Sequence, residues 1–165
     1  MVEIKVIKAI QVAQPSITFI VANQNSPVPE HIFCDVSVIG SSFIDTAELT
    51  NDEFEETINQ TKIHRVSLTY HGLVTSGAGD AVAHMAAYLE SFQARLRFKE
   101  QGFSIVRIFD IKYTPLLKDV DMYMTYVLDF NIATIQGHSF AVDVIDKVGV
   151  HGDLETIEYN IEVEI

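Results

Sequence analysis

The chain has 165 residues, within the span of about 100–200 typical of one domain, and 48% of them are hydrophobic, which excludes disorder throughout and supplies a self-sufficient core. Asp and Glu number 23 against 11 Lys and Arg, a net charge of −12, so the surface as a whole repels nucleic acid instead of gripping it. One cysteine, Cys34, makes neither an internal disulfide nor a zinc site by itself, and no apolar run reaches the about 18–20 residues of a membrane span; with charges at Glu3 and Lys5 where a secretion signal is apolar, the expectation is a cytosolic setting without membrane.

Residues 3–14 set Val6, Ile10 and Ala13 at helical spacing; their β-branched content also fits a strand, and a short helix is the preferred reading. Pro15 ends that element, residues 17–22 read as a brief buried strand, and the polar run to Pro27 and Pro29 is an extended turn. Residues 31–39 alternate Ile32, Cys34, Val36 and Val38 against Asp35 and Ser37, the period of a half-buried strand. From Thr46 to Gln60 the acids Glu48, Asp52, Glu53, Glu55 and Glu56 lack apolar periodicity, which fits an exposed loop or the distal end of a long hairpin. Alternation resumes over 62–71, with His64, Val66, Leu68 and Tyr70 opposite Arg65, Ser67, Thr69 and His71, and this strand is expected to pair antiparallel with the one at 31–39.

After Ser76-Gly77-Ala78-Gly79-Asp80, the residues Val82, Met85, Leu89, Phe92 and Leu96 form one stripe, which predicts a single long helix over 80–99. Ser76 or Asp80 is expected to cap it; Arg95, Arg97 and Lys99 complement the dipole at its end, and Gly102 stops it. Residues 103–112 read as a strand and Tyr113 to Leu117, with Pro115, as a connection. Residues 123–135 form a long strand through the sheet's centre, with Met124, Tyr126, Leu128, Phe130 and Ile132 on one face and Thr125, Asp129 and Asn131 on the other. Gly137 punctuates it, and segments 141–150 and 154–165 form a terminal hairpin around His151-Gly152-Asp153. In the last segment Ile157, Tyr159, Ile161, Val163 and Ile165 oppose Thr156, Glu158, Asn160, Glu162 and Glu164.

The predicted fold is α+β: a mostly antiparallel mixed sheet with one long amphipathic helix packed on a face, plus a C-terminal β-hairpin extension. Residues 1–136 make the domain; 137–165 are the extension, either part of that domain or an arm between subunits, because one helix does not cover its apolar face.

Chemistry-bearing patterns are sparse. Gly77-Ala78-Gly79 before a helix lacks the lysine and further glycine of phosphate-binding loops and reads as a turn. The histidines at 31, 64, 71, 84, 138 and 151 never fall about three to five apart, so no metal is expected. Cys34 sits among apolar neighbours as a buried thiol, and most paired carboxylates lie in charge-rich windows where hydration is expected. Asp129 and Asn131 either face solvent or line a contact surface. With no nucleophile elbow and no cofactor fingerprint, neither catalytic residues nor a cofactor is expected. Charge is two-ended: Arg95, Arg97, Lys99, Arg107 and Lys112 cluster over 95–112, whereas seven acids fall in 143–164 against Lys147 alone. This favours head-to-tail self-association, with a charge asymmetry that has no partner as the alternative.

The stretch Ala22-Asn23-Gln24-Asn25-Ser26-Pro27-Val28-Pro29 resembles the A-N-Q-N-x-P-x-P segment near the start of neck and tail-terminator proteins of tailed bacteriophages, with Val21 where an aromatic residue often stands. The later order is also similar: Tyr70-His71-Gly72, a helix at 80–99, Gly102, Pro115-Leu116-Leu117 and the strand at 123–135. The resemblance covers residues 15–135, and the chain beyond 137 is longer than its pattern. It implies a non-enzymatic virion protein, made in the host cytoplasm, that forms a homohexameric ring capping the tail tube and docking the head-proximal neck. The implied partners are other copies, tail-tube and connector proteins, and a sheath component. DNA passes through the ring without specific binding. On this reading Arg95, Arg97, Lys99, Ile157, Tyr159, Ile161 and Val163 are interface candidates, and Glu48, Asp52, Glu53, Glu55 and Glu56, or the anionic face of the last strand, are lumen candidates. The competing readings are a twelve-fold head-tail adaptor or another tail-associated part, and, from a different class, a small-molecule site around His64, Asp129 and Asn131.

Overall fold

The computed structural model describes residues 1–23, 29, 31–44, 48–52, 55–73, 75–118 and 121–141. In chain order its elements are α1 (Val2–Ile10), β1 (Thr18–Val21), β2 (Phe33–Phe43), β3 (Glu48–Asp52), β4 (Glu55–Leu73), α2 (Ala78–Glu90), α3 (Phe92–Glu100), β5 (Ser104–Ile108), β6 (Lys112–Lys118) and β7 (Asp121–Ala141). The architecture is α+β with a mixed sheet. Two compact units are distinguished: Met1–Thr46 with Gln60–Gln136, and Ala47–Asn59 with Gly137–Ile165.

In the first unit the strands run in the order β1-β2-β4-β7-β5. β1 lies parallel to β2, from Thr18↔Phe33 to Val21↔Val36, and β2 lies antiparallel to β4, from Phe33↔His71 to Phe43↔Lys62, with a bulge between Val38 and Gly40. That pairing and the short N-terminal helix follow the sequence pattern. The residue parity on each strand separates two faces. One carries Cys34, Val36, Val66, Leu68, Tyr70, Leu128, Phe130 and Ile132, and against it pack Val6, Ala9 and Ile10 of α1, Val82, Met85 and Leu89 of α2, and Phe98 of α3. Buried polar groups on this side are paired: the Tyr70 hydroxyl donates to Gln14 Oε1 at 2.8 Å, and Gln14 Nε2 donates to the Ala81 carbonyl at 2.5 Å, tying the turn after α1 to β4 and α2.

The expected single helix is broken at Ser91, which has extended geometry (φ −71°, ψ 155°) and accepts the Ala94 N–H on its side chain at 3.1 Å. A serine that caps a new helix competes with continuation of the old one. The break shifts the phase of the second half: Ala94 and Phe98 are buried, while Phe92 and Leu96, expected in the core stripe, are 74% and 47% exposed. The helix start also differs from expectation. Gly77, at φ +80°, is the N-cap of α2 without a side-chain cap bond, and the Ser76 hydroxyl donates instead to the Leu73 carbonyl. The stop at Gly102 holds: its φ is +83°, its N–H donates to Lys99 O at 2.9 Å, and the Phe103 N–H donates to Phe98 O at 2.9 Å, a Schellman closure with Phe98 and Phe103 both buried.

The predicted connection at Tyr113–Leu117 is instead strand β6. It pairs antiparallel with β7 from Lys112↔Val127 to Lys118↔Asp121, including Pro115↔Met124. Among the described residues β6 pairs only β7, and an edge position tolerates the missing proline N–H. β5 uses the same side of β7 further along, from Ser104↔Ala133 to Ile108↔Phe130, and the Phe109 N–H bridges the interval with a 2.9 Å bond to Asp129 O. β7 is interior, as expected, but Gly137 does not end it.

In the second unit β3 pairs antiparallel with the start of β4, from Glu48↔Asn59 to Asp52↔Glu55, so this acidic stretch is a hairpin and not a loop. A Cβ at Gly137 would lie 2.9 Å from Asn59 Oδ1, a close approach that accounts for glycine within a strand. The terminal hairpin expected over 141–165 lies, apart from Ala141, outside the described residues.

Candidate functional site

The helix break builds a surface. With about 100° per residue, Ala94 and Phe98 define the inward side of α3, and Leu96 falls directly opposite with Phe92 beside it. α3 is therefore apolar on two opposed sides, one in the core and one in solvent. Arg95 and Lys99 lie four apart along one flank of the outward stripe, both exposed, and among the described residues neither has an acid within 4.0 Å. On the other flank Arg97 Nη1 donates to Glu100 Oε2 at 3.1 Å, which occupies that carboxylate. α1 packs against α3 and adds exposed Lys5, Lys8 and Ile4 to the helical layer. In a chain of net charge −12, this layer gathers five of the eleven basic side chains beside exposed apolar groups.

The sheet face away from the helices carries a different cluster. Arg65 Nη2 donates to Asp129 Oδ2 at 2.8 Å, and the Arg65 and Arg107 guanidinium groups lie 4.8 and 4.9 Å from the Phe109 ring centre. Asp129 is buried, and Arg65 Nε, Asp129 Oδ1 and Asn131 Oδ1 have no hydrogen-bond partner among the described residues. Six residues further along β4 on the same face, His71 Nε2 and Asp35 Oδ2 are 3.0 Å apart, with Phe33 stacked on the imidazole at 4.7 Å.

The small-molecule site considered around His64, Asp129 and Asn131 does not assemble. His64 and Arg65 are consecutive on β4 and point to opposite faces; Asp129 and Asn131 are on the Arg65 side. His64 instead lies on the helix side, shares a 2.7 Å hydrogen bond with Ser41 Oγ and meets Phe103 edge-on at 6.4 Å; burial lowers its pKa, with Lys62 adding to the effect. Cys34 is fully buried, and that burial pushes its thiol well above the ordinary range.

Of the sequence-derived interface candidates, Arg95, Arg97 and Lys99 share α3, while Ile157, Tyr159, Ile161 and Val163 lie outside the described residues. Glu48, Asp52, Glu55 and Glu56 are brought together on paired strands β3 and β4, with Asp52 opposite Glu55; Glu53 lies outside the described residues. Sequence reasoning missed Phe92 and Leu96 as surface residues and the stacking of Arg65 and Arg107 on Phe109. Ser91 was the available signal for the first.

A family model described as phage neck terminator protein matches residues 4–160, and the chain belongs to that family. The match reaches beyond both ends of the motif-based resemblance. No curated protein matches the chain. Membership makes this a structural protein of the phage neck, associated with other neck and tail proteins in the virion. No helix among the described residues is long and apolar enough to cross a membrane.

Proposed function

We propose that the chain assembles into a homohexameric ring that terminates the tail tube and joins it to the head-proximal neck. The observation that carries this reading is α3, a helix in a neck terminator family member whose outward side is apolar and basic on a strongly acidic chain. Residues 137–165 act as an arm between subunits, and the acids of the β3–β4 hairpin, Glu48, Asp52, Glu53, Glu55 and Glu56, line the lumen. There phosphates meet no fixed cations and DNA slides without sticking. The protein is made in the host cytoplasm and ends in the virion, with tail-tube, connector and sheath components as neighbours.

Light scattering of the purified chain at several concentrations and two salt levels tests this. Six copies, or rings that form only when tail tubes are added, are the expected result. Twelve copies would replace it with the head-tail adaptor, and a strict monomer or dimer indifferent to tubes would overturn both.

A further inference from the structure

We infer that the bare edge of β2, residues 38–43, receives strand β6 of a neighbouring copy, so that the two sheets join edge to edge. The inference rests on the ring reading and names the contact that links one subunit to the next.

Backbone hydrogen bonds fix which groups the β2 edge offers. The Ala22 N–H donates to Val36 O at 3.0 Å, so Val36, and Val38 two residues on, turn their peptide groups away from β4. Beyond the bulge, the Ile44 N–H donates to Thr61 O at 3.2 Å, which turns Ile44 and Ser42 toward β4 and leaves Ser41 and Phe43 facing out. β1 covers β2 only from Phe33 to Val36, and Asn23, at φ +63°, turns the chain out of that strand. Among the described residues no strand pairs with the outward groups of Val38, Ser41 and Phe43. A bare edge is a template for another strand, and proteins blunt it with charge or proline. Residues 36–44 (VSVIGSSFI) contain neither, and every residue from Ile39 to Ile44 is exposed. The bulge interrupts this edge at Val38–Gly40, and the register from Gly40 to Phe43 is regular.

The occupant is read from the other side of the same sheet, where β6 pairs, among the described residues, only with β7. The Phe109 N–H donates to Asp129 O, so Asp129, Val127 and Thr125 face β5 and β6. Opposite Val127 and Thr125, Lys112 and Thr114 face back to β7, which leaves Tyr113, Pro115 and Leu117 facing out. Pro115 thus sits where its missing N–H breaks no bond to β7. The β6 edge presents carbonyls at all three outward positions but N–H groups only at Tyr113 and Leu117, so two β6 edges match each other poorly. β2 keeps a donor at each of its outward positions and suits this acceptor-rich edge. Exposed apolar side chains line both margins: Ile39, Phe43 and Ile44 at β2, and Val106, Ile111 and Tyr113 on the β5–β6 side. Two different edges at opposite margins of one sheet make a heterologous contact, which repeats from copy to copy and closes into a ring; β2 pairing with β2 would stop at a dimer.

The test is cysteine cross-linking in the full-length chain, read on denaturing gels. Cys34 is fully buried, so introduced cysteines carry the reaction. Within one copy β2 and β6 are three strand spacings apart, about 14 Å, beyond the reach of a shorter bismaleimide. Phe43→Cys with Tyr113→Cys in one chain should therefore give a ladder of covalent species up to six copies. Each single variant should stay monomeric on the gel, and an equimolar mixture of the two should give covalent dimers. Dimers from Phe43→Cys alone would mean that β2 meets β2 and would overturn the inference. So would a double variant that assembles like the wild type yet yields no cross-links. Phe43→Pro supplies a second readout: it removes an outward N–H, as Pro115 does on β6, and should weaken self-association about tenfold with the melting temperature near that of the wild type. Ser42→Pro, whose lost N–H faces β4, should instead lower the melting temperature. Equal losses of melting temperature in the two, or undiminished assembly of Phe43→Pro, would also overturn the inference. The ring reading fails separately, if the wild-type chain never self-associates with or without tubes, and this inference falls with it.

Discussion

Asp129 shows what single-residue parity can and cannot foretell. Alternation along β7 placed it off the core face, and the structure agrees; burial there was not foreseeable, because it depends on Arg65, Phe109 and Arg107 lying over the strand, contacts between residues distant in sequence. The same parity rule, applied to His64 and Arg65 together, already separates His64 from Asp129 and dissolves the proposed polar pocket. The Arg65–Asp129 pair has one buried and one half-exposed partner, with side-chain exposures of 8% and 43%. Arg65→Met strands the carboxylate and should cost about 2 kcal/mol, below the range for fully buried pairs because the arginine end is wet. In urea unfolding, adding Asp129→Leu to Arg65→Met should recover part of that loss; equal stability of the single and double variants would mean Arg65 is not what holds Asp129.

At the scale of elements, strands were legible wherever one face was buried, as in β2, β4 and β7, since alternation then reports the core directly. α2 and α3 were not separable by periodicity alone. Their apolar residues keep a helical rhythm through Ser91, and the continued rhythm at Phe92 and Leu96 marks an outward stripe, with Ala94 and Phe98 taking over the core. β6 was hidden for the converse reason: Pro115 breaks the propensity pattern, and only its place at an edge makes a strand possible there. The break has a testable energy. Ser91→Ala removes the bond to the Ala94 N–H and should destabilise the chain by about 1 kcal/mol in urea unfolding, whereas Ser91→Asp, which also caps, should stay near the wild type. If alanine and aspartate behave alike, the cap does not set the break.

For the whole molecule, the acidic excess and its concentration after residue 141 were plain in the sequence, but their consequence depends on where the basic side chains gather, and that required the helical layer formed by α1 and α3. Among the described residues, every member of the buried cluster from Val6 to Ile132 precedes residue 137. A chain ending at Ala141 should therefore fold, keep the sheet and helices of the first unit, and unfold cooperatively. It loses seven acids and one lysine, along with the alternating apolar face. The expected outcome is a monomer by light scattering at concentrations where the full chain assembles. Raising salt from about 0.05 M to 0.5 M, which shrinks the screening length to a few ångströms, should weaken the full chain's assembly and leave the shortened chain unaffected. If the shortened chain still forms rings, the terminal segment is not an intersubunit arm; if it forms rings with the same salt dependence as the full chain, the charges that matter lie within residues 1–141.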